Sequence, residues 1–299
     1  MGKTVLIRVV RDDGDSMEFG TGTDWYIEND GLENWSAPTP EVSYSENVTY
    51  DGATVTGRRV ASIDRTIEAT LRNAKQNELM RERVVRFFNP KHSYEAHITY
   101  QGRTLWCHGE HYAFKCDAGN VYQPVSFSWT ILCPMPYLLS EDDFGQDIAA
   151  IDPKFGFPLY SCTSATGAAK GVANRRGFIW SAYSFARTVE IANDGDVPTY
   201  CKAIIIANGT VTNPKLIKGT SYVRIVDTLQ EGDVVEIDLV HRPPTVTKNG
   251  ENIIQRTDRA SSFSGVSFDV GLNTIQYDAD DGSDALSVAI YYNKRYLGV

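Results

Sequence analysis

With 299 residues, 42% of them hydrophobic and 22% charged, the chain is long enough for two folded domains, and its composition excludes a wholly disordered protein. Its formal net charge of -9 argues against nucleic acid as a specific ligand, because phosphate binding depends on clustered Lys and Arg. The 16 Tyr and 12 Phe, together with frequent Val, Ile and Thr, favour a mostly β fold.

The N-terminal segment predicts a first strand. Val5–Val10 is a short apolar stretch interrupted by Arg8, which makes it a poor signal-peptide core. No apolar run in the sequence approaches the roughly 20 residues that a membrane helix requires. We therefore expect no membrane insertion and a protein made in the cytoplasm.

Three segments of the first half alternate apolar and polar residues, as strands with one face on a core do. They are Ile63–Leu71, Tyr94–Tyr100 and Val125–Cys133, and Arg65 is the one break in the apolar row of the first. Pairs of residues that suit tight turns separate the predicted strands, and hairpins are the simplest interpretation. These pairs are Asp51-Gly52, Asn208-Gly209, Asn249-Gly250 and Asp281-Gly282.

One segment of the first half predicts a helix packed on the sheet. It runs from Asn73 to Phe88, is rich in helix-forming residues and stops at Asn89-Pro90. The apolar residues in it are spaced for a single buried stripe. They are Leu79, Met80, Val84, Phe87 and Phe88.

A proline-bracketed hinge, Cys133-Pro134-Met135-Pro136-Tyr137, predicts the end of the first domain. The acidic run Glu141-Asp142-Asp143 follows it and indicates an exposed connector. The predicted organisation is an N-terminal domain over 1–138, a connector over 139–160 and a C-terminal domain over 161–299. The small, polar residues of 161–180 predict an extended arm at the start of that second domain.

The predicted fold class is therefore mostly β, with an N-terminal β-sandwich or split-barrel-like domain that carries one packed helix. The second half has six or more short predicted strands between turn signals, which favours a β-sandwich there too. Three apolar segments mark its core strands. They lie at 203–206, 234–240 and 286–292.

The first candidate metal site is Cys107-His108-x-x-His111 with Cys116 beyond it, since imidazole and thiolate are the preferred ligands of zinc. In a regular strand, Cys107 and His111 face one way while His108 and Cys116 face the other. The five cysteines are odd in number and contain no C-x-x-C pair. We therefore predict structural side chains and reduced, mostly buried thiols in place of a zinc site.

A second candidate is the acidic segment Asp278-x-Asp280-Asp281-Gly282-x-Asp284, whose oxygens could suit calcium. It lacks the downstream Glu of an EF-hand loop and lies between apolar strands, so a solvated hairpin tip is favoured. The glycines of Gly20-Thr21-Gly22 and the segment Gly2-Lys3-Thr4 lack the strand and helix of a phosphate loop. The sequence predicts no catalytic residue, no metal and no cofactor, although paired carboxylates of a glycosidase stay an open alternative.

Spread over the chain, several motifs resemble those of the distal tail proteins of siphophages, the long-tailed, non-contractile phages. In the first half the resemblance rests on residues 50–59, the strand at 65–71, the helix end at 86–90, residues 98–103 and the segment Cys133 to Tyr137. In the second half it rests on residues 193–200, 213–214, 231–233, 248–250, 271–275 and 291–296. Their order and spacing together carry the resemblance.

The resemblance implies a structural hub at the tail tip of a virion. The N-terminal domain would form a homohexameric ring at the end of the tail tube, and the C-terminal domain would be a galectin-like β-sandwich. The ring would join the tail tube protein to the tail-associated fibre or lysin protein, with receptor-binding proteins as further partners. It implies no cofactor and no enzyme activity.

Two alternatives belong to other functional classes. A carbohydrate-binding or receptor-binding module of the tail tip is motivated by the sandwich-like second half. Trp180 is the only tryptophan after Trp129, and no His-Asn-Arg set precedes it, so a galectin-type sugar site is not favoured. A glycosidase is the third possibility.

Overall fold

A computed structural model describes residues 5–46, 51–73, 77–116, 123–141, 144–147, 151–153, 181–183, 188–241 and 243–299. The chain divides into two compact units, one made of Met1–Asp142 with Lys294–Val299 and the other of Asp143–Asn293. The described residues form 27 strands and one α-helix, which confirms the mostly β prediction. No helix among them is long and apolar enough to span a membrane.

The first unit is built on a sheet whose strand order is β2-β1-β7-β8-β9-β6-β3. In addition, β10 pairs with β8, and β27 pairs with β10. A separate two-stranded sheet pairs β4 with β5. The strands are β1 (Val5–Arg11), β2 (Ser16–Gly20), β3 (Trp25–Glu33), β4 (Glu41–Glu46), β5 (Ala53–Arg59), β6 (Ile63–Leu71), β7 (Ser93–Tyr100), β8 (Arg103–Cys116), β9 (Ser126–Cys133), β10 (Leu138–Ser140) and β27 (Arg295–Tyr296).

The core of the first unit is aromatic and centres on Phe88. Its ring stacks on Trp129, with 4.6 Å between the ring centroids, and lies 5.5 Å from the ring of Phe127 and 6.1 Å from that of Phe19. The predicted faces of Ile63–Leu71, Tyr94–Tyr100 and Val125–Cys133 are confirmed, because their apolar rows are buried in this core. The alternation of these strands thus places their large side chains around one ring.

Helix α1 (Asn77–Phe87) confirms the predicted helix but with a narrower buried stripe. Val84 and Phe87 are buried, and Phe88 follows directly after the last turn. Leu79 was expected in the stripe and is instead 67% exposed. The physical reason is helical geometry, since the stripe through Val84 and Phe87 continues through Met80, which packs on the core, and leaves Leu79 beside it.

The segment from Cys133 to Tyr137 is a fixed corner within the first unit and not its end. Cys133 and Leu138 are fully buried at either side of it, and β10 continues the pairing along β8, with Leu139 opposite Trp106. The predicted domain limits at 138 and 161 therefore differ from the observed units. The last six residues, predicted to belong to the second domain, join the first because β27 pairs with β10.

The second unit has a six-stranded sheet, β11-β26-β16-β21-β22-β23, and a four-stranded sheet, β14-β25-β18-β19, whose buried residues form one hydrophobic core. The predicted connector over 139–160 contributes strands of its own, because β11 pairs with β26 and β12 with β13. The strands are β11 (Phe144–Asp147), β12 (Ile151–Pro153), β13 (Ser181–Tyr183), β14 (Thr188–Asn193), β15 (Thr199–Tyr200), β16 (Lys202–Ala207), β17 (Val211–Thr212), β18 (Lys215–Lys218), β19 (Ser221–Arg224), β20 (Thr228–Leu229), β21 (Val234–Asp238), β22 (Thr245–Lys248), β23 (Glu251–Asn252), β24 (Ser267–Phe268), β25 (Gly271–Asp278) and β26 (Leu286–Tyr292). Short 3₁₀ turns occupy Ile254–Arg256 and Ser283–Ala285.

Candidate assembly surface

The hairpin of β4 and β5 stands apart from the core of the first unit. Among the described residues, the two strands pair only with each other. All six residues of β4 are exposed, and so are all those of β5 except Gly57. An isolated two-stranded hairpin is marginally stable in water, so the exposed apolar side chains of these two strands are available to a partner.

The two faces of this hairpin differ in chemistry. Val42 and Tyr44 lie on one face of β4, and Tyr44 is the cross-strand partner of Val55. These three side chains are 44%, 63% and 49% exposed. The opposite face carries Ser43 and Ser45 of β4 and an ion pair of 2.7 Å between Arg59 Nε and Glu41 Oε2. The hairpin therefore presents one face with an apolar row, flanked by Arg58 opposite Val42 and by Glu46 at its end, and one face that is polar.

A cluster of hydrogen bonds holds the base of the hairpin to the sheet. The indole Nε1 of Trp35 donates to the Thr66 carbonyl oxygen at 3.0 Å, and the Asn34 side-chain amide donates to the Asp64 carbonyl at 2.9 Å. Arg65, fully buried, donates through Nη1 to the Asn34 carbonyl oxygen at 2.6 Å. The hairpin is thus unsupported along its length but fixed where it leaves the core.

The same arginine also holds the corner after β9. Its Nη2 donates to the Pro136 carbonyl oxygen at 2.7 Å. A proline cannot donate a backbone hydrogen bond, but its carbonyl is a full acceptor. Arg65, which looked like a break in the apolar row of a strand, therefore joins the base of the hairpin to the corner.

The candidate zinc ligands do not form a metal site among the described residues. Cys107 is buried, His108 is exposed and His111 is half-buried, as strand alternation predicts. Cys116, however, packs on the core on the same side as Cys107, and the prediction for its face was wrong. The cause is a β-bulge between His111 and Ala113, which inserts one residue and reverses the alternation beyond it.

Protein groups already satisfy the candidate calcium ligands in the second unit. Asp278 pairs with Lys215 at 3.1 Å, and Asp280 accepts a hydrogen bond of 2.8 Å from Asn213 and pairs with Arg224. The Asn213 amide and the Arg224 guanidinium hold the pKa of Asp280 below its usual value. Two cationic side chains at this turn oppose a divalent ion. The prediction of a hairpin was wrong, because the turn connects β25 to β26, which belong to different sheets.

The remaining sequence features either form turns or lie outside the described residues. Gly20 and Gly22 have φ of 119° and 83° in the link between β2 and β3, and a strand follows in place of a phosphate-binding helix. Gly2-Lys3-Thr4, the arm predicted at 161–180 and Trp180 lie outside the described residues. The apolar face of the hairpin was missed, although the alternation from Glu41 to Glu46 was a signal that could have revealed it.

Comparisons with known proteins identify one matching family model and several similar structures. Residues 194–296 match the family model for the siphovirus-type tail component, C-terminal domain. No curated protein matches the chain in sequence. Among solved structures, the chain is similar to the Dit protein of phage SPP1, described as a paradigm of hub adsorption apparatus in Gram-positive infecting phages. That similarity has a TM-score of 0.60 at 9% identity and covers 97% of this chain and 98% of the other.

A second similarity is to a chain of the phage P2 baseplate in its activated conformation with Ca, with a TM-score of 0.52 and 10% identity over 100% of both chains. The same baseplate with Sr gives the same values. At these identities the similarities establish a shared fold along the chain. The family match over residues 194–296 and these similarities agree with the resemblance of the motifs to the distal tail proteins of siphophages.

Proposed function

We propose that the protein is the structural hub of a long-tailed phage tail tip, in which six copies close a ring through their N-terminal units. The hub would join the tail tube protein to the tail-associated fibre or lysin protein and hold receptor-binding proteins, without catalysis. It would assemble in the host cytoplasm and remain at the tip of the virion. Support comes from the family match and from a fold shared with proteins described as a hub and a baseplate component.

The observation that carries this proposal is the exposed apolar face of the hairpin. Val42, Tyr44 and Val55 form a row on two strands that pair with no other described strand. Burying a side chain of this size contributes about 1.5–3 kcal/mol, so the row favours association if a partner covers it. The occupant that we propose is the neighbouring copy of the same chain.

A ring requires that the contact between neighbouring copies be heterologous. A hairpin that docks on a different surface of the next copy makes a heterologous contact, and repeated heterologous contacts close into a ring when the rotation permits. The two hairpin strands also leave unpaired backbone groups at their outer edges, which favour pairing with another chain. Both features are properties of the first unit, where the ring is proposed.

The mass and shape of the purified full-length protein test the proposed ring of six chains. Native mass spectrometry should show a species of six chains, and negative-stain images should show closed rings. Light scattering over a range of protein and salt concentrations controls for weak association. A monomer under all these conditions, with no ring in any field, would contradict the proposal.

A further inference from the structure

The two edge strands of the large sheet in the first unit differ in regularity. Among the described strands, β2 pairs with β1 alone and β3 pairs with β6 alone. The ladder of β3 and β6 shifts register between Ile27 and Leu32, and Asp30 within the shift has φ of 66°. The ladder of β1 and β2 has no shift along the whole of β2. Because a bulge disrupts pairing and twists an edge away, β2 is the edge that stays open to a further strand.

The hairpin of β4 and β5 shows the same contrast between its two strands. Gly57 of β5 lies opposite Ser43, and Val55 lies opposite Tyr44. Thr56 is therefore an extra residue in the ladder, and the bulge lies on β5. The regular edge of the hairpin is β4, as the regular edge of the sheet is β2.

Backbone geometry places two free hydrogen-bonding groups in the middle of β2. The Thr21 N–H donates to the Val5 carbonyl oxygen at 2.9 Å, and the Arg11 N–H donates to the Asp15 carbonyl oxygen at 2.8 Å. These two bonds fix the phase of the antiparallel ladder, so the N–H and C=O of Glu18 point away from β1. In the part of the chain that the structure describes, neither group has a partner. A further strand beside β2 would supply one for each.

The side chains of β2 and β4 alternate in the same way. Met17 and Phe19 of β2 are buried in the core, and Glu18 between them is exposed. On β4 the apolar side chains of Val42 and Tyr44 likewise flank a polar residue. An added strand must continue both faces of the sheet, because a slip of one residue moves its apolar side chains to the wrong face. With polar residues opposite each other, β4 meets this condition on β2.

We propose that β4 of one copy adds to the free edge of β2 in the next copy, antiparallel, with residues 41–45 opposite residues 16–20. The inference rests on the proposed ring and names the surface that receives the hairpin. In this register Ser43 lies opposite Glu18, and the apolar row of β4 extends the layer of buried side chains on β2. The contact is heterologous, as a ring requires, because β2 and β4 are different surfaces of the chain.

The charge of Glu18 restricts which strand can add to this edge. Its carboxylate is exposed, and Arg8 lies opposite it on β1. A charged side chain in the middle of an edge strand disfavours unselective pairing. The hydroxyl of Ser43 can donate to this carboxylate, whereas a second carboxylate at the same position would be repelled. The edge therefore favours β4 over an acidic strand.

Disulfide cross-linking of the assembled full-length protein tests the contact. On mild oxidation, the double variant Glu18→Cys/Ser43→Cys should give a ladder of linked chains that reaches six on a non-reducing gel. Each single variant should stay unlinked, which controls for the native cysteines. Tyr26→Cys/Ser43→Cys is the matched control, since Tyr26 is exposed on the bulged edge strand β3. Equal linking in the two double variants, or none in the first, would overturn the proposal.

Proline at position 18 tests the backbone contact without added cysteines. Glu18→Pro removes only an N–H that points away from β1, so the ladder of β1 and β2 keeps its hydrogen bonds. The variant should keep its circular dichroism spectrum and raise the protein concentration at which rings form by about tenfold. Glu18→Ala keeps the N–H and should assemble nearly as the wild type does. Identical assembly of the two variants would count against strand addition at β2.

The outcomes separate this contact from the ring itself. Six-chain species that form without a cross-link between positions 18 and 43 would contradict docking on β2 and leave the proposed ring intact. A wild type that is monomeric under all conditions would contradict the ring and this contact with it.

Discussion

Leu138 and Tyr296 are backbone partners in a short antiparallel ladder, although the whole second unit lies between them in the sequence. The last six residues are thus part of the first unit. Arg295 is buried, and the guanidinium carbon of Arg103 lies 3.7 Å from the centroid of the Tyr296 ring. Residues 294–299 therefore contribute a strand and side-chain contacts to the first unit.

Removal of residues 294–299 should therefore destabilise the first unit by more than about 2 kcal/mol, because it uncovers β10 and the side chain of Arg103. Chemical denaturation of the full-length and shortened chains, followed by fluorescence, measures the difference. Val299→Ala is the control, since its partly exposed side chain leaves the backbone bond to the Trp35 carbonyl intact. Equal midpoints for the full-length and shortened chains would show that the return of the C-terminus is incidental.

Phe88→Ala should reduce the free energy of unfolding of the first unit by about 3–5 kcal/mol. The substitution removes the ring at the centre of the aromatic core and leaves a cavity beside Trp129. Leu79→Ala, on the exposed side of the helix, should change it by less than about 0.5 kcal/mol. Similar losses for both variants would mean that Phe88 does not centre the core.

Arg11→Ala should lower stability by about 1–2 kcal/mol, because Arg11 satisfies the end of helix α1. Its Nη1 donates to the carbonyl oxygens of Phe87 at 3.2 Å and Arg86 at 3.4 Å. Arg86→Ala is the comparison, since Arg86 makes only an exposed ion pair with Glu82 one turn away and should cost less than about 0.5 kcal/mol. Urea denaturation of both variants compares the combined loss of the carbonyl bonds and of the Arg11–Asp13 ion pair with the loss of a surface ion pair alone, and equal losses would contradict the prediction.

Alkaline conditions should destabilise the second unit partly through Cys201. Burial raises the pKa of this thiol to about 12, whereas the unfolded thiol has a pKa of about 8.5. The stabilisation is complete below the unfolded value and is lost as the pH rises towards the folded value. Cys201→Ala should therefore show a shallower loss of stability between pH about 9 and about 11 in urea denaturation. Parallel curves for the wild type and the variant would contradict this.

Much of the fold could be predicted because its strands follow simple rules. The predicted strand at 286–292 agrees with β26 (Leu286–Tyr292), and the alternation from Ile63 to Leu71 shows which residues enter the core. The turn at Asn249-Gly250 has φ of 51° and 85°, which these two residues adopt more readily than others. Each of these features is determined by residues that are close together in the sequence.

The features that could not be predicted depend on contacts between distant residues. Arg65 is tolerated in an apolar row because Asn34 and Pro136 bring carbonyl oxygens to it. Cys116 faces the core because of a bulge that nothing in the local pattern marks. The hairpin surface was missed for a different reason, since an alternating strand normally indicates a core below it, whereas Val42 and Tyr44 are exposed among the described residues.

The oligomeric mass of two matched hairpin variants most directly tests the proposal that this hairpin joins neighbouring copies of the chain. Tyr44→Glu and Ser45→Glu place the same charge on adjacent residues of β4 that point to opposite faces. We predict by native mass spectrometry that the wild type and Ser45→Glu form six-chain species, whereas Tyr44→Glu is a folded monomer with an unchanged circular dichroism spectrum. Six-chain species that persist in Tyr44→Glu would contradict assembly through the apolar face of the hairpin.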